Sequence, residues 1–199
     1  MQYCTLKSGA QAELKEKGSK FLAFVFPVVD ESDIKTKLLD LKTQYPDATH
    51  HCYAWLLGAN RERERANDDG EPNNSAGRPI LRQLYGANLT NVLAVVVRYY
   101  GGTKLGVPGL IQAYGGATKM ALELSETVEL DLRKTYTIEY EFQDEGLAFR
   151  LVRQLQTEPD RLERGNAGIL YFRIPADKES ELENWKETYY QLKIELWEE

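Results

Sequence analysis

The clearest run of hydrophobic positions lies over residues 92–97, where Val92, Leu93, Ala94, Val95, Val96 and Val97 follow one another without a polar break. Such continuity predicts a strand buried on both faces, here read over 92–100. Gly101 and Gly102 end it. Residues 19–29 predict a second strong strand, with Phe21, Leu22, Phe24, Val25, Phe26, Val28 and Val29. Over 50–57 the side chains alternate: His50, Cys52, Ala54 and Leu56 fall on one face, and His51, Tyr53, Trp55 and Leu57 on the other. Weaker alternation over 3–13 predicts an edge strand and turn.

Helical spacing fills the intervals. Ile34, Leu38, Leu39 and Leu41 predict a helix over 30–45, with Asp30 or Ser32 as its cap. Pro46 ends it, because the residue before proline leaves the helical region. Pro79 suits a first helical turn and predicts a short helix over 80–85. Ile111, Ala113, Tyr114, Ala117, Met120, Ala121 and Leu124 predict a core-facing helix over 109–126. Gly115 and Gly116 weaken it by about 1 kcal/mol each, which makes sense where another element packs closely. The alternating charges Arg61, Glu62, Arg63, Glu64 and Arg65 predict a solvated loop or hairpin tip over 58–65.

From residue 134 the pattern changes. A half-buried strand over 135–142 carries Tyr136, Ile138, Tyr140 and Phe142 on one face. An amphipathic helix over 144–156 follows, built on Leu147, Phe149, Leu151, Val152 and Leu155. Short strands over 159–164 and 168–174 flank the turn Gly165, Asn166, Ala167, Gly168. A helix over 177–189, capped by Asp177, and a strand over 190–197 close the chain. The order β-α-β-β-α-β is the ferredoxin-like pattern.

Charge supports the same division. Residues 1–133 hold 16 basic and 16 acidic side chains, whereas 134–199 hold 9 and 15 and so carry the whole net charge of −6. Two domains are expected, 1–133 and 134–199. An acidic second domain repels phosphate backbones, so any nucleic acid is expected on the first. The N-terminal residues 1–18 lack a basic-then-apolar leader pattern, and no apolar run reaches about 20 residues, so a cytoplasmic protein without a membrane span is expected. Cys4 and Cys52 give neither a disulfide framework nor a zinc signature.

Candidate chemistry concentrates in residues 67–119. Between Pro72 and Lys119 there is no Asp or Glu, while Arg78, Arg82, Arg98, Lys104 and Lys119 are basic. In an acidic protein this imbalance points to an anion. Gly101 and Gly102 allow backbone amides to turn outward at a strand end, with Arg98 and Lys104 on either side. Arg78 lies near a helix start, where free amides and the dipole favour an anion. Tyr85, Tyr99 and Tyr100 suit stacking on bases. The alternative for Arg78 or Arg98 is an ion pair with Asp69 or Glu71 that pins the long loop. A different class of function would use His50 and Cys52, with Asp69 or Glu71, as a nucleophile and base or as part of a metal site. Asp68, Asp69 and Glu71 would suit magnesium, or simply form turns. A third class is a protein-interaction module acting through the acidic second domain with Trp185 and Trp197. Walker and Rossmann spacings are absent, and neither a metal nor another cofactor is expected.

Several of these segments together resemble the YigZ/IMPACT family. They are Asp69-Gly70-Glu71-Pro72, Ala76-Gly77-Arg78-Pro79-Ile80-Leu81, and the run from Val97 through Arg98, Tyr99, Tyr100, Gly101, Gly102, Thr103, Lys104 and Leu105 to Gly106. Gly109-Leu110, Ala113-Tyr114-Gly115 and the upstream run 48–54 add to the likeness. Asn73-Asn74-Ser75 departs from the family's usual Ser-Gly-Thr, and Val107, Pro108 and Gln112 also depart, Gln112 standing where an arginine is frequent. The resemblance implies an α+β protein whose first domain is like domain 2 of a small-subunit ribosomal protein. Its second, ferredoxin-like domain would be similar to a terminal domain of elongation factor G. It also implies a link to translation, which eukaryotic relatives regulate through a protein partner of a stress kinase. The expected function is therefore a non-enzymatic, translation-associated factor that binds RNA or a ribosome-bound partner, with no DNA specificity. Its expected site is Arg78, Arg98, Tyr99, Tyr100, Gly101, Gly102 and Lys104.

Overall fold

The computed structural model describes residues 2–197, which divide into two compact units at Leu130 and Asp131. The first unit is organised on β6 (Val92–Tyr99), the middle strand of a five-stranded antiparallel sheet. The order is β2 (Ala10–Glu16), β3 (Ser19–Pro27), β6, β4 (His50–Leu57), β5 (Arg63–Asn67). Every apolar residue of β6 is buried because the sheet is covered on both sides. Val92, Ala94 and Val96 pack with Cys52, Ala54, Leu56 and the helices α2 (Gly77–Gly86) and α3 (Gly106–Glu123). Leu93, Val95 and Val97 pack on the other side with Phe24, Trp55 and with Ile34 and Leu41 of α1 (Glu31–Gln44). Each fully buried side chain of this size contributes about 1.5–3 kcal/mol. Asp30 caps α1, accepting a 2.8 Å hydrogen bond from the Asp33 amide.

Three expectations for this unit are corrected. The run 58–65 is a hairpin tip only as far as Glu62: Arg63–Asn67 is strand β5, paired with Tyr53–Leu57 of β4. Its charges protect an exposed sheet edge from further pairing, and they conceal it because neither face is apolar. The helix expected over 109–126 begins earlier, at Gly106, and ends earlier, at Glu123, since Thr127–Asp131 forms strand β7 beside β1 (Gln2–Leu6). Met120 and Leu124, expected in the core, are exposed.

The second unit has the elements β8 (Arg133–Tyr140), α4 (Glu145–Gln154), β9 (Pro159–Arg164), β10 (Gly168–Pro175), α5 (Glu179–Thr188) and β11 (Lys193–Leu196). Its sheet order, β11-β8-β10-β9, and its antiparallel pairings are those of a ferredoxin-like sandwich. Tyr136, Ile138, Tyr140, Leu170, Phe172 and Ile174 meet Leu151, Val152, Leu182 and Trp185 in its core. Asp177 does not cap α5. It lies in a short 3-10 turn, and Lys178 precedes the helix.

Candidate functional site

At one end of the first unit's sheet, Arg98 of β6 stands opposite His50 of β4 and Phe21 of β3. Two residues from Val96, it shares that residue's face and lies on the α2 and α3 side. Its guanidinium is buried, with the residue 5% exposed, and pairs through Nη1 with the carboxylate of Glu71, itself 8% exposed. Glu71 also accepts a 2.7 Å hydrogen bond from the Tyr114 hydroxyl of α3, and His50 Nε2 lies 3.8 Å from it. Arg98 Nη2 reaches Ser19 Oγ at 3.5 Å, and that oxygen accepts from the Gly101 amide at 3.2 Å. Removing two charges from water is costly, and a pair is tolerated only where further hydrogen bonds complete it. Tyr114 supplies such a bond to Glu71.

The loop before α2 is held by carboxylates rather than left open. Asp68 Oδ1 accepts from the amides of Ala76 at 3.0 Å and Gly77 at 2.8 Å, and its Oδ2 from Asn74 at 2.8 Å. The amides at the start of α2 therefore already have an anion of the chain's own. Asp69, at φ 43°, accepts from the His51 amide through Oδ2 at 2.6 Å, and its carbonyl meets His50 Nδ1 at 2.7 Å. That contact makes Nδ1 the protonated nitrogen, because a carbonyl only accepts. Gly77 is required here, since a Cβ would overlap the backbone of Asn67.

Cys52 does not meet His50 as a nucleophile would meet its base. Its thiol donates to the Asp68 carbonyl at 3.0 Å, and its sulfur lies 3.3 Å from the Tyr114 hydroxyl. Burial pushes the Cys52 thiol far up, and the carboxylates of Glu71, Asp69 and Asp68 add to that, so it stays protonated. Burial likewise holds the Tyr114 hydroxyl far above its ordinary range, reinforced by Cys52 and Glu71. The His51 ring is pushed below its ordinary value, first by burial. Among the described residues no group of three or more His, Cys, Asp or Glu is arranged to hold a metal ion.

The remaining candidates separate into different surroundings. Tyr99 turns to the α1 side, and its hydroxyl donates to Asp47 at 3.0 Å. Arg78 is exposed and lies 3.5 Å from Glu64, which also receives the Tyr85 hydroxyl. Gly101 passes against Gly18 so closely that a Cβ would overlap its backbone, and Gly102 has φ +85°. Tyr100 and Lys104 line a groove of about 490 Å³ together with Arg98, Pro72, Leu105 and Val107. Of the seven expected anion-binding residues, the structure brings Arg98, Tyr100 and Lys104 to one groove and leaves Arg78 and Tyr99 elsewhere. Arg98 takes the loop-pinning alternative, with Glu71 as its partner. Ser19 and Tyr114 join this network from outside the expected site. For Tyr114 the sequence does carry a signal, a phenol within an otherwise aliphatic helix stripe.

The profile of the Impact N-terminal domain matches residues 17–122. The chain belongs to that family. It is 40% identical over 128 residues to the IMPACT family member YigZ of Escherichia coli, covering 63% of each chain and so less than two thirds of that relative. An IMPACT family member of Haemophilus influenzae is 34% identical over 160 residues, covering 79% of this chain and 77% of the relative. A solved crystal structure of a hypothetical protein matches all of this chain and 98% of its own at a TM-score of 0.80, with 29% identity.

Proposed function

We propose that this chain is a translation-associated regulatory factor that contacts RNA, or a ribosome-bound partner, through the basic, glycine-rich face of its first unit. Family membership supports the translational part, through the link that the resemblance implies. The observation that carries the binding part is the distribution of charge after folding. Residues 72–122 contain no acidic side chain. Glu71 neutralises Arg98, Glu64 partners Arg78 and Glu123 partners Lys119. Among the described residues Arg82 and Lys104 form no ion pair, which leaves them available to a phosphate backbone. The acidic second unit keeps nucleic acid to the first. A thiol enzyme is disfavoured by the protonated, hydrogen-bonded Cys52. No helix among the described residues is long and apolar enough to cross a membrane, and a cytoplasmic site of action fits the proposal.

The test is RNA affinity of the full chain against salt. Each phosphate contacted adds about −0.7 to the log-log slope for a single strand. The double reversal Arg82→Glu with Lys104→Glu should flatten that slope while leaving the thermal transition in place. Absence of RNA binding at low salt would remove the RNA reading and direct attention to a protein partner. Reversing Arg98 would test nothing of this kind, because it would set two carboxylates against each other in a buried site.

A further inference from the structure

We propose that the groove at the head of α3 binds one nucleotide of a single-stranded RNA, with its phosphate on the α3 amides and Lys104 and its base on Tyr100. The inference rests on the RNA-binding reading above and specifies where and how a nucleotide sits.

Three observations converge on that groove. First, α3 starts without a capping side chain and without an acidic residue in its first turn. The opening amides of a helix have no partner within it and carry its positive end. Pro108 has no N–H, so Gly106 and Val107 present the available donors. Phosphate groups bind readily at such a terminus. Second, Arg98 lines the same groove with its side chain 6% exposed, and its Nε–H is buried without a hydrogen-bond partner among the described residues. Glu71 balances its charge but leaves that donor unmet. Third, Tyr100 is 47% exposed on the groove wall, with the Arg98 guanidinium 5.6 Å from its ring centroid. An exposed aromatic ring beside cationic groups is the usual platform for an unpaired base.

The lining decides the ligand class. Pro72, Leu105, Val107 and Leu110 give the groove an apolar floor, which suits a base or another flat apolar body. A volume of about 490 Å³ is within the ordinary range for small-ligand sites. Arg98 and Glu71 cancel, so Lys104 and the helix end are the only net positive features. That balance fits the single charge of a phosphodiester better than a doubly charged phosphate monoester or a polyphosphate. No Asn, Gln, Ser or Thr side chain lines the groove, so base identity should matter little.

A short fluorescent oligoadenylate and the full-length protein test the assignment. Tyr100→Ala should weaken binding about tenfold, the usual size for loss of one stacked base. Lys104→Ala should reduce the salt slope by about 0.7, one phosphate contact. Arg82→Ala, outside the groove, should reduce the slope without affecting the dependence on Tyr100. If the wild-type protein binds the oligonucleotide but Tyr100→Ala and Lys104→Ala bind equally well, the groove is wrong while the RNA reading stands. If the wild-type protein does not bind at low salt, both are overturned.

Discussion

Helices α2 and α3 lie on the same side of one sheet, and both begin at a glycine with no acidic residue in the first turn and no side-chain bond from the N-cap residue. Yet their starts differ in kind. The amides of α2 are closed by Asp68, which reaches them from the preceding loop. The start of α3 has no such carboxylate and opens into a groove with Tyr100 and Lys104. A glycine-rich helix start is therefore not in itself a binding site. What matters is whether the chain has already provided the anion. Glu71 makes the contrast sharper: it lines the groove beside Gly106, yet its charge is directed to Arg98, so it does not fill the α3 terminus.

The largest expected effect comes from that carboxylate. Glu71→Gln leaves the Arg98 guanidinium uncompensated in a buried site and should lower unfolding free energy by about 3–5 kcal/mol in urea titrations. A loss below about 1 kcal/mol would mean that Arg98 is not held by Glu71 in solution. Asp68→Ala removes three accepted amide bonds at the closed start and should cost about 2–3 kcal/mol by the same measurement. RNA affinity should survive wherever this variant remains folded, because the proposed nucleotide site lies at the other helix. Gly101→Ala forces a Cβ against the Gly18 backbone just before the open start, with an expected loss of about 1–3 kcal/mol.

A smaller effect should appear with pH. Burial lowers the His51 pKa, so as pH falls the unfolded chain takes up this proton before the folded one does. The contribution is complete above the ordinary histidine value of about 6.5 and is lost progressively below it. The urea midpoint should therefore fall between about pH 7.5 and pH 5.5, and His51→Gln should reduce that dependence. An unchanged pH dependence in the variant would assign the acid sensitivity to other groups.

Much of this architecture is legible in the chain, for reasons that particular residues make plain. The unbroken run Val92 to Val97 indicates a strand covered on both faces, and both cores use it. The alternation from His50 to Leu57 assigns the two faces of β4 as found, with Cys52, Ala54 and Leu56 on one and Trp55 and Leu57 on the other. Strand β5 is hidden because an edge strand of alternating charge carries no apolar face. The site is less legible. Arg98 reads either as an anion-binding cation or as the partner of Asp69 or Glu71, and only folding selects Glu71, 27 residues away in sequence. Asp68 reads as a turn former, and its capture of the α2 amides depends on how the loop returns. Tyr100 and Lys104 differ in environment from Tyr99 and Arg78 because strand alternation and helix packing separate neighbours that composition groups together.

The most direct test of the contrast is to give α3 the anion that α2 already has. Val107 is exposed in the first turn of α3 and lines the groove. In Val107→Glu a carboxylate at the positive end of the helix should raise unfolding free energy by about 0.3–1 kcal/mol. Measured on the same preparation, RNA affinity should fall by about tenfold or more. Raised stability with undiminished RNA affinity would contradict the account, because the start of α3 would then be filled while the RNA remained bound.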